Sequence, residues 1–310
     1  MDYFRIMPGA KSVHARECLE GGFIGADWEA PDLTDHLTDS YRDFNKWFIP
    51  LYRNRHPEKS KVSAGLAGGM LHTIAKGAQI GDMVIVPDQK GAIHLGRISG
   101  DYQYVSESVL PHQRPVDWLS ITIHRNALTD ALQNSMGSIG TVSKVTKHAA
   151  EIEGVLSGAS TPPPEYEDVE DPSAFALEKH LEDFLVANWK ATELGKTHDI
   201  YEEDGQLVGQ QYNTDTGPID ILAISRDKSE LLVIELKRGR ASDSVVGQIQ
   251  RYMGYVKDEL VEPNQAVRGV IIALEDDKRI RRALSVTAGI DFYRYQINFN
   301  LQKIEVPGAG

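Results

Sequence analysis

The chain has 310 residues, a net charge of −12 at pH 7 and 41% hydrophobic residues. This composition is sufficient for a folded core and excludes global disorder. A single cysteine, Cys18, excludes both an intrachain disulfide framework and a cysteine-based zinc cluster. The length predicts two domains. The sequence contains no apolar run of bilayer length and opens without a signal-like apolar stretch, so we expect a cytoplasmic protein without a membrane partner.

The acidic net charge is only a weak argument against a nucleic-acid partner. Net charge sums the whole surface, whereas a nucleic-acid channel is a local patch of Lys and Arg. Enzymes that hold divalent metals also carry carboxylates in the site itself.

The residue pattern over 1–153 predicts an N-terminal α+β domain that contains a small β-barrel. We expect this domain to recognise the binding partner. Apolar residues at helical spacing predict a helix over Leu33–Tyr52, and small residues predict another over Val62–Ala75. A basic loop, Arg53–Lys61, joins them and is either a DNA contact or a solvated turn. One or two further helices are expected over Asn126–Ile152. The expected strands are Tyr3–Met7, Phe23–Trp28, Gly81–Pro87, Ala92–Ile98, Tyr102–Val105 and Arg114–Ile123.

Residues 154–173 predict a linker. Three consecutive prolines favour an extended backbone, and the acidic run that follows repels itself. We therefore expect the two flanking parts to fold separately, with few contacts between them.

Residues 174–310 predict a mixed sheet flanked by helices. An amphipathic helix over Phe175–Trp189 precedes two strands, Gly217–Ile224 and Glu230–Lys237. A helix over Asp243–Lys257 and a nearly continuous apolar strand over Val267–Leu274 follow. This order is typical of an α/β (α+β) fold with a partly parallel sheet.

Three charged residues interrupt these apolar strands. Positions i and i+2 of a strand share a face, so Glu235 and Lys237 project together, and Asp220 interrupts the preceding strand. Burying such charges is costly unless they neutralise one another or bind a metal. Two carboxylates and the Leu236 carbonyl are suitable ligands for Mg²⁺, with Lys237 beside the attacked phosphate. The pattern predicts metal-assisted phosphodiester hydrolysis.

This ordered set resembles the PD-(D/E)XK nuclease superfamily, and most closely its NucS-like and Mrr-like restriction endonuclease branches. The resemblance covers Phe175–Val306 and implies a restriction-endonuclease-like fold with Asp220, Glu235 and Lys237 as catalytic residues. It also implies a carboxylate on the preceding helix that binds the metal, assigned to Glu178 with Glu182 as the alternative. A Gln and a Tyr on the next helix correspond to Gln248 and Tyr252.

The first domain more weakly resembles the β-barrel modules of Mrr-like restriction proteins, which implies recognition of DNA, including modified DNA. Aromatic side chains there are candidates for base stacking, although most of them are also expected to fill the barrel core. These candidates are Trp28, Tyr102, Tyr104 and Trp118. The candidates for contacts with the DNA backbone are Arg238, Arg240, Arg251, Arg97 and Arg114.

The sequence therefore predicts a Mg²⁺-dependent endodeoxyribonuclease, with Mn²⁺ as a substitute, that cuts double-stranded DNA in restriction or defence. One alternative is a mismatch repair endonuclease of the NucS type. Another is a non-catalytic DNA-binding or sensor protein on a nuclease scaffold. Cutting both strands with one site per chain predicts a homodimer.

Overall fold

A computed structural model describes residues 1–136, 140–157, 181–203 and 207–296. The first part of the chain is built on a curled, seven-stranded sheet with the strand order β2-β6-β4-β3-β1-β7, in which β5 also pairs with β6. Its strands are β1 (Tyr3–Ile6), β2 (Phe23–Ala26), β3 (Met83–Pro87), β4 (Ala92–Ile98), β5 (Gln103–Tyr104), β6 (His112–His124) and β7 (Val142–Lys144).

The strands expected from the sequence are confirmed, and β7 is an addition. β7 lies inside the segment that was expected to be helical, and it pairs antiparallel with β1. Three residues carry too little periodicity to predict a strand, so only the pairing with β1 identifies it. β1 and β3 pair in parallel, whereas β3, β4, β6 and β2 pair antiparallel in turn.

Helices cover this sheet. They are α1 (Ala15–Gly21), α2 (Tyr41–Arg55), α3 (Lys61–His72), α4 (Asp130–Met136) and α5 (Ala149–Ser157). The predicted start of α2 at Leu33 was wrong, because the Ser40 side chain caps the helix by accepting a hydrogen bond from the Asp43 N–H. Helix α5 extends to Ser157 and thus includes the first four residues of the expected linker.

The second part of the chain contains the predicted mixed sheet, with the strand order β13-β12-β11-β10-β8 and β9 paired to β10. Strands β10 and β11 form an antiparallel hairpin, and β12 and β13 continue in parallel. The strands are β8 (His198–Ile200), β9 (Gln210–Thr214), β10 (Gly217–Ser225), β11 (Glu230–Arg240), β12 (Ala266–Glu275) and β13 (Ile290–Arg294). The helices are α6 (residues 181–187), α7 (Ser244–Tyr255) and α8 (Lys278–Ser285).

Side-chain alternation along β11 divides the core of this part into two layers. Leu231 and Val233 pack with α7, whereas Leu232 and Ile234 pack on the opposite face with Trp189. A strand places every second side chain on the same face, so Glu235 and Lys237 continue the row that faces α7.

Many contacts join the two parts, and the expectation of few contacts was wrong. Val62 of α3 belongs to the same buried cluster as the core of the second sheet. The Tyr212 hydroxyl donates a buried hydrogen bond of 2.9 Å to the Val62 carbonyl. The Tyr255 hydroxyl donates one of 3.1 Å to the Tyr41 hydroxyl. Helices α2 and α3 therefore complete one face of the second sheet.

The basic loop belongs to this interface. Arg53 Nη1 lies 3.0 Å from a carboxylate oxygen of Glu262, and Lys59 lies 3.5 Å from Glu203. Lys61 donates to the Val261 carbonyl at 2.8 Å. Arg53 and Lys59 thus neutralise acidic groups of the second part, an arrangement that neither interpretation of the loop anticipated. In the part of the chain that the structure describes, every helix is too short or too polar to cross a bilayer.

Candidate active site

The site is centred on β11, at Glu235 and Lys237. The Glu235 side chain is 1% exposed, and its Oε1 accepts a hydrogen bond of 2.7 Å from the Lys237 ammonium group. Both residues lie on the α7 face of the strand, as the i, i+2 spacing predicts. The pair brings an ammonium group and a buried carboxylate to one point at the edge of the core.

Asp220 lies on the neighbouring strand at the level of Glu235. The register pairs Ile221 with Ile234, so the residues that follow in register are Asp220 and Glu235. Asp220 Oδ2 accepts a hydrogen bond of 2.7 Å from the Leu236 N–H, which fixes the carboxylate against β11. Burial, and then the negative charge of Glu235, raise the pKa of Asp220 well above its ordinary value.

A third carboxylate, Glu182, reaches the site from α6. Its two oxygens accept hydrogen bonds of 2.7 Å each from the side-chain amides of Gln210 and Gln211. Gln211 also donates to Asp220 Oδ1 at 3.2 Å and so connects the two carboxylates. Glu178, the first choice for the helix carboxylate, lies outside the described residues, whereas the alternative Glu182 lies beside Asp220.

Sequence reasoning missed the two glutamines. They lie in the Gly-Gln-Gln-Tyr segment and are the first two residues of β9, and no periodicity distinguishes them from solvated residues. The only available signal is their distance along the chain from Asp220, which suits a hairpin partner.

Helix α7 closes the other side of the site. Gln248 donates a hydrogen bond of 3.3 Å to the Tyr252 hydroxyl, as expected for residues at i, i+4 on one helical face. The pKa of Tyr252 is raised by burial, and the charges of Glu235 and Asp220 add to the effect. Gly217 has a φ of 123°, and a Cβ at this position would lie 3.1 Å from the Tyr252 hydroxyl oxygen. The tyrosine hydroxyl therefore lies close to the backbone at Gly217.

The donor set fits a hard divalent cation. Burial together with the like charges of Glu235 and Glu182 makes ionised Asp220 unfavourable, and a bound cation would remove that penalty. Carboxylate oxygens and the Leu236 carbonyl are ligands of the type that Mg²⁺ and Mn²⁺ accept. Within the described ranges no three His, Cys, Asp or Glu side chains form a ligand cluster by themselves, so a carbonyl or water oxygens would have to complete the shell.

The arginine candidates differ in their surroundings. Arg251 is exposed on α7, and Arg240 is exposed with a hydrogen bond of 3.2 Å to Glu275. Arg238 is half-buried near the end of β11. Arg97 is exposed in the first part of the chain and donates to the Gly81 carbonyl at 3.3 Å.

Arg114 has a structural role instead of the predicted DNA contact. Its side chain is 3% exposed, and its guanidinium donates to four backbone carbonyls. Three of these carbonyls lie in or directly after the helical segment Thr73–Gly77, which follows α3. An arginine can cap the free carbonyls at such a helix end. The carbonyls belong to Ile74, Ala75, Ala78 and Gly100.

The aromatic candidates lie largely in the core. Trp28 and Trp118 pack against buried clusters, and the Trp118 indole donates to the Cys18 carbonyl at 3.1 Å. Tyr102 accepts a hydrogen bond from the Leu33 N–H, and burial raises its pKa to about 12. Tyr104 is 36% exposed. Of the four, Tyr104 presents the most open ring for stacking.

Comparison with known proteins adds family information to this geometry. Residues 180–302 match the family described as the endonuclease NucS C-terminal domain. The matched range contains Asp220, Glu235, Lys237, Gln248 and Tyr252. The second part of the chain is a NucS-like PD-(D/E)XK domain. Residues 4–146 match a different family, a domain of unknown function named DUF8426.

Two curated relatives are NucS endonucleases. The protein from Methanocaldococcus jannaschii is 29% identical over 100 residues, which are 30% of this chain and 37% of the relative. The protein from Aeropyrum pernix is 30% identical over 115 residues, which are 36% of this chain and 40% of the relative. The chain thus spans about two fifths of the length of these relatives.

Solved structures of similar proteins include a complex of EndoMS with double-stranded DNA. Its TM-score is 0.32 at 16% identity, with 67% of this chain and 62% of that chain covered. A repair endonuclease from Pyrococcus abyssi gives a TM-score of 0.31 at 14% identity, with coverage of 68% and 65%. The assignment of the NucS-like domain therefore rests on the match of residues 180–302.

Proposed function

We propose that this protein is a divalent-metal-dependent DNA endonuclease of the NucS type. The observation that carries the proposal is the convergence of Asp220, Glu235 and Lys237 from two neighbouring strands, inside the region that matches the NucS C-terminal domain. The curated relatives that share this region are described as NucS endonucleases. The catalytic residues are Asp220, Glu235 and Lys237, with Gln248 and Tyr252 beside them.

The residues of the chain divide the chemistry among them. Asp220, Glu235, Glu182 and the Leu236 carbonyl would hold Mg²⁺ or Mn²⁺, which polarises the scissile phosphate and activates a water when bound. Glu235 fixes the Lys237 ammonium, which stabilises the negative charge that develops on the phosphate. Leu236 fixes the Asp220 carboxylate through its N–H, so both groups are oriented before substrate arrives.

Repair is the better supported purpose, and the predicted role in restriction has no support among the relatives named above. Those relatives are described as NucS proteins, whereas the first part of the chain matches a domain of unknown function. We therefore place mismatched double-stranded DNA first among substrates and modified DNA second.

A cleavage panel tests the proposal. Matched, mismatched, methylated and hydroxymethylated duplexes and a matched RNA duplex are incubated with Mg²⁺, Mn²⁺ or EDTA. We expect cleavage of DNA only with metal, and its loss in Asp220→Ala, Glu235→Ala and Lys237→Ala while folding and DNA binding persist. Cleavage by Asp220→Ala at the wild-type rate would overturn the mechanism. Cleavage of modified but not mismatched DNA would restore the restriction hypothesis.

DNA contacts and assembly complete the proposal. Arg238 and Arg240 follow Lys237 on β11, and Arg251 lies on α7. We propose that these three arginines bind the DNA backbone, together with Arg97 on the first part. Because each chain carries one site, we propose that a homodimer makes double-strand cuts. Light scattering of the protein bound to a substrate duplex tests this, and a monomer that still makes double-strand cuts would refute it.

A further inference from the structure

Gln211 has an unusual backbone and a central position in the site. Its φ is 51°, and in the described part of the chain it is the only non-glycine residue within a strand that has a positive φ. This conformation is unfavourable for a residue with a Cβ, and such outliers concentrate at functional positions. The surrounding structure therefore holds Gln211 in this conformation.

The strand register places Gln211 directly across from Asp220. Strand β9 pairs with β10 so that Tyr212 lies opposite Ile219 and Gln210 lies opposite Ile221. The residues between these two pairs are Gln211 and Asp220. Glu235 follows on the next strand at the same level. Gln211, Asp220 and Glu235 thus form a row across three adjacent strands.

The Gln211 amide nitrogen uses this position to connect two carboxylates. It donates to Glu182 Oε2 at 2.7 Å and to Asp220 Oδ1 at 3.2 Å. An amide nitrogen carries two hydrogens, so both bonds can form at once. Since Glu182 comes from α6 and Asp220 from β10, Gln211 fixes the position of one carboxylate relative to the other.

We propose that Gln211 is a positioning residue that prearranges Glu182 and Asp220 for a divalent cation. This inference rests on the proposed function, because the cation belongs to that mechanism. Groups that orient metal ligands typically contribute about 10- to 100-fold to metal affinity or activity. Gln211 acts through the two carboxylates to which its amide donates.

The test uses Gln211→Gly, because glycine adopts a positive φ without strain and removes the side chain that carries the amide. The matched control is Gln210→Ala, since Gln210 donates to Glu182 and Asp183 but not to Asp220. For the full-length protein, the Mg²⁺ concentration at half-saturation is measured from the rise in melting temperature and, separately, from cleavage. Melting temperature and DNA affinity in EDTA are measured alongside.

We expect Gln211→Gly to raise the half-saturating Mg²⁺ concentration by about 10-fold or more in both assays. The melting temperature and DNA affinity in EDTA should stay at wild-type values, and Gln210→Ala should show a smaller change. An unchanged half-saturation in Gln211→Gly, or an equal change in Gln210→Ala, would overturn the inference while the proposed function stands. If Mg²⁺ neither raises the wild-type melting temperature nor supports cleavage, the proposed function fails and this inference fails with it.

Discussion

Replacing Asp220 by asparagine should stabilise the metal-free protein while abolishing its response to Mg²⁺. Asn keeps the shape of the side chain and removes the charge, and it retains one acceptor oxygen for two donors, the Leu236 N–H and the Gln211 amide. Burial and the charge of Glu235 raise the pKa of Asp220 in the folded state above its ordinary value of 3.8. The stability contributed by this group is therefore complete below pH 3.8 and is lost as the pH rises through the folded-state pKa. At neutral pH the charge of Asp220 costs stability.

The magnitude follows from the groups around the carboxylate. Replacing a buried ion pair by well-packed hydrophobic residues of similar volume often changes stability by about 0 to +4 kcal/mol, and this range is an upper bound for removing the single charge of Asp220. We expect the lower end of this range, because the Leu236 N–H and the Gln211 amide already offset part of the cost. Each kcal/mol corresponds to about 2–4 °C in melting temperature for a protein of roughly 150–250 residues. In the wild type, Mg²⁺ at about 100 times its Kd should add about 2.7 kcal/mol, and in Asp220→Asn it should add almost nothing.

Differential scanning calorimetry at pH 7, in EDTA and in Mg²⁺, measures both effects. Asp215→Asn is the control, because Asp215 is an exposed residue in the β9–β10 turn. It should melt like the wild type under both conditions. A lower melting temperature for Asp220→Asn in EDTA, together with a full response to Mg²⁺, would refute the reasoning.

Three other predictions concern the first part of the chain and its interface. Arg114→Ala should lower the free energy of unfolding by about 3 kcal/mol, because it leaves buried carbonyls without a hydrogen-bond donor. Urea denaturation measures this loss, and the control Arg97→Ala, at an exposed residue, should change the free energy of unfolding by less than about 0.5 kcal/mol. Burial lowers the pKa of His148 from 6.5 to about 4, so its contribution to stability should be complete above pH 6.5 and should fall as the pH drops towards 4. In thermal melts His148→Gln should flatten this pH dependence, and an equally steep dependence would contradict the prediction. Tyr212→Phe should lower the free energy of unfolding by about 1 kcal/mol, because it removes the buried hydrogen bond to the Val62 carbonyl. Calorimetry should still show one unfolding transition for both parts of the chain, and two separate transitions would argue against a shared core.

The residue pattern alone predicted the strands that carry Asp220, Glu235 and Lys237 and the face on which the last two lie. A period of two along β11 places Glu235 and Lys237 together, and a period of 3.6 along α7 places Gln248 beside Tyr252. Both results depend only on residues close together in sequence. For that reason they could be predicted without knowing how the chain folds back on itself. The division of the chain into domains was also predicted from the sequence and stays a prediction.

Contacts between residues distant in sequence could be identified only from the folded structure. An arginine such as Arg114 is a residue type that often binds phosphate, but folding brings four backbone carbonyls to its guanidinium group. The basic loop pairs with acidic groups about 150–200 residues further along the chain, such as Glu203 and Glu262. Gln211 acquires its place because β9 pairs with β10 in one register, and a shift of one residue would turn its side chain to the other face. Local periodicity carries no information on such pairings, since they depend on which surfaces meet in the folded protein.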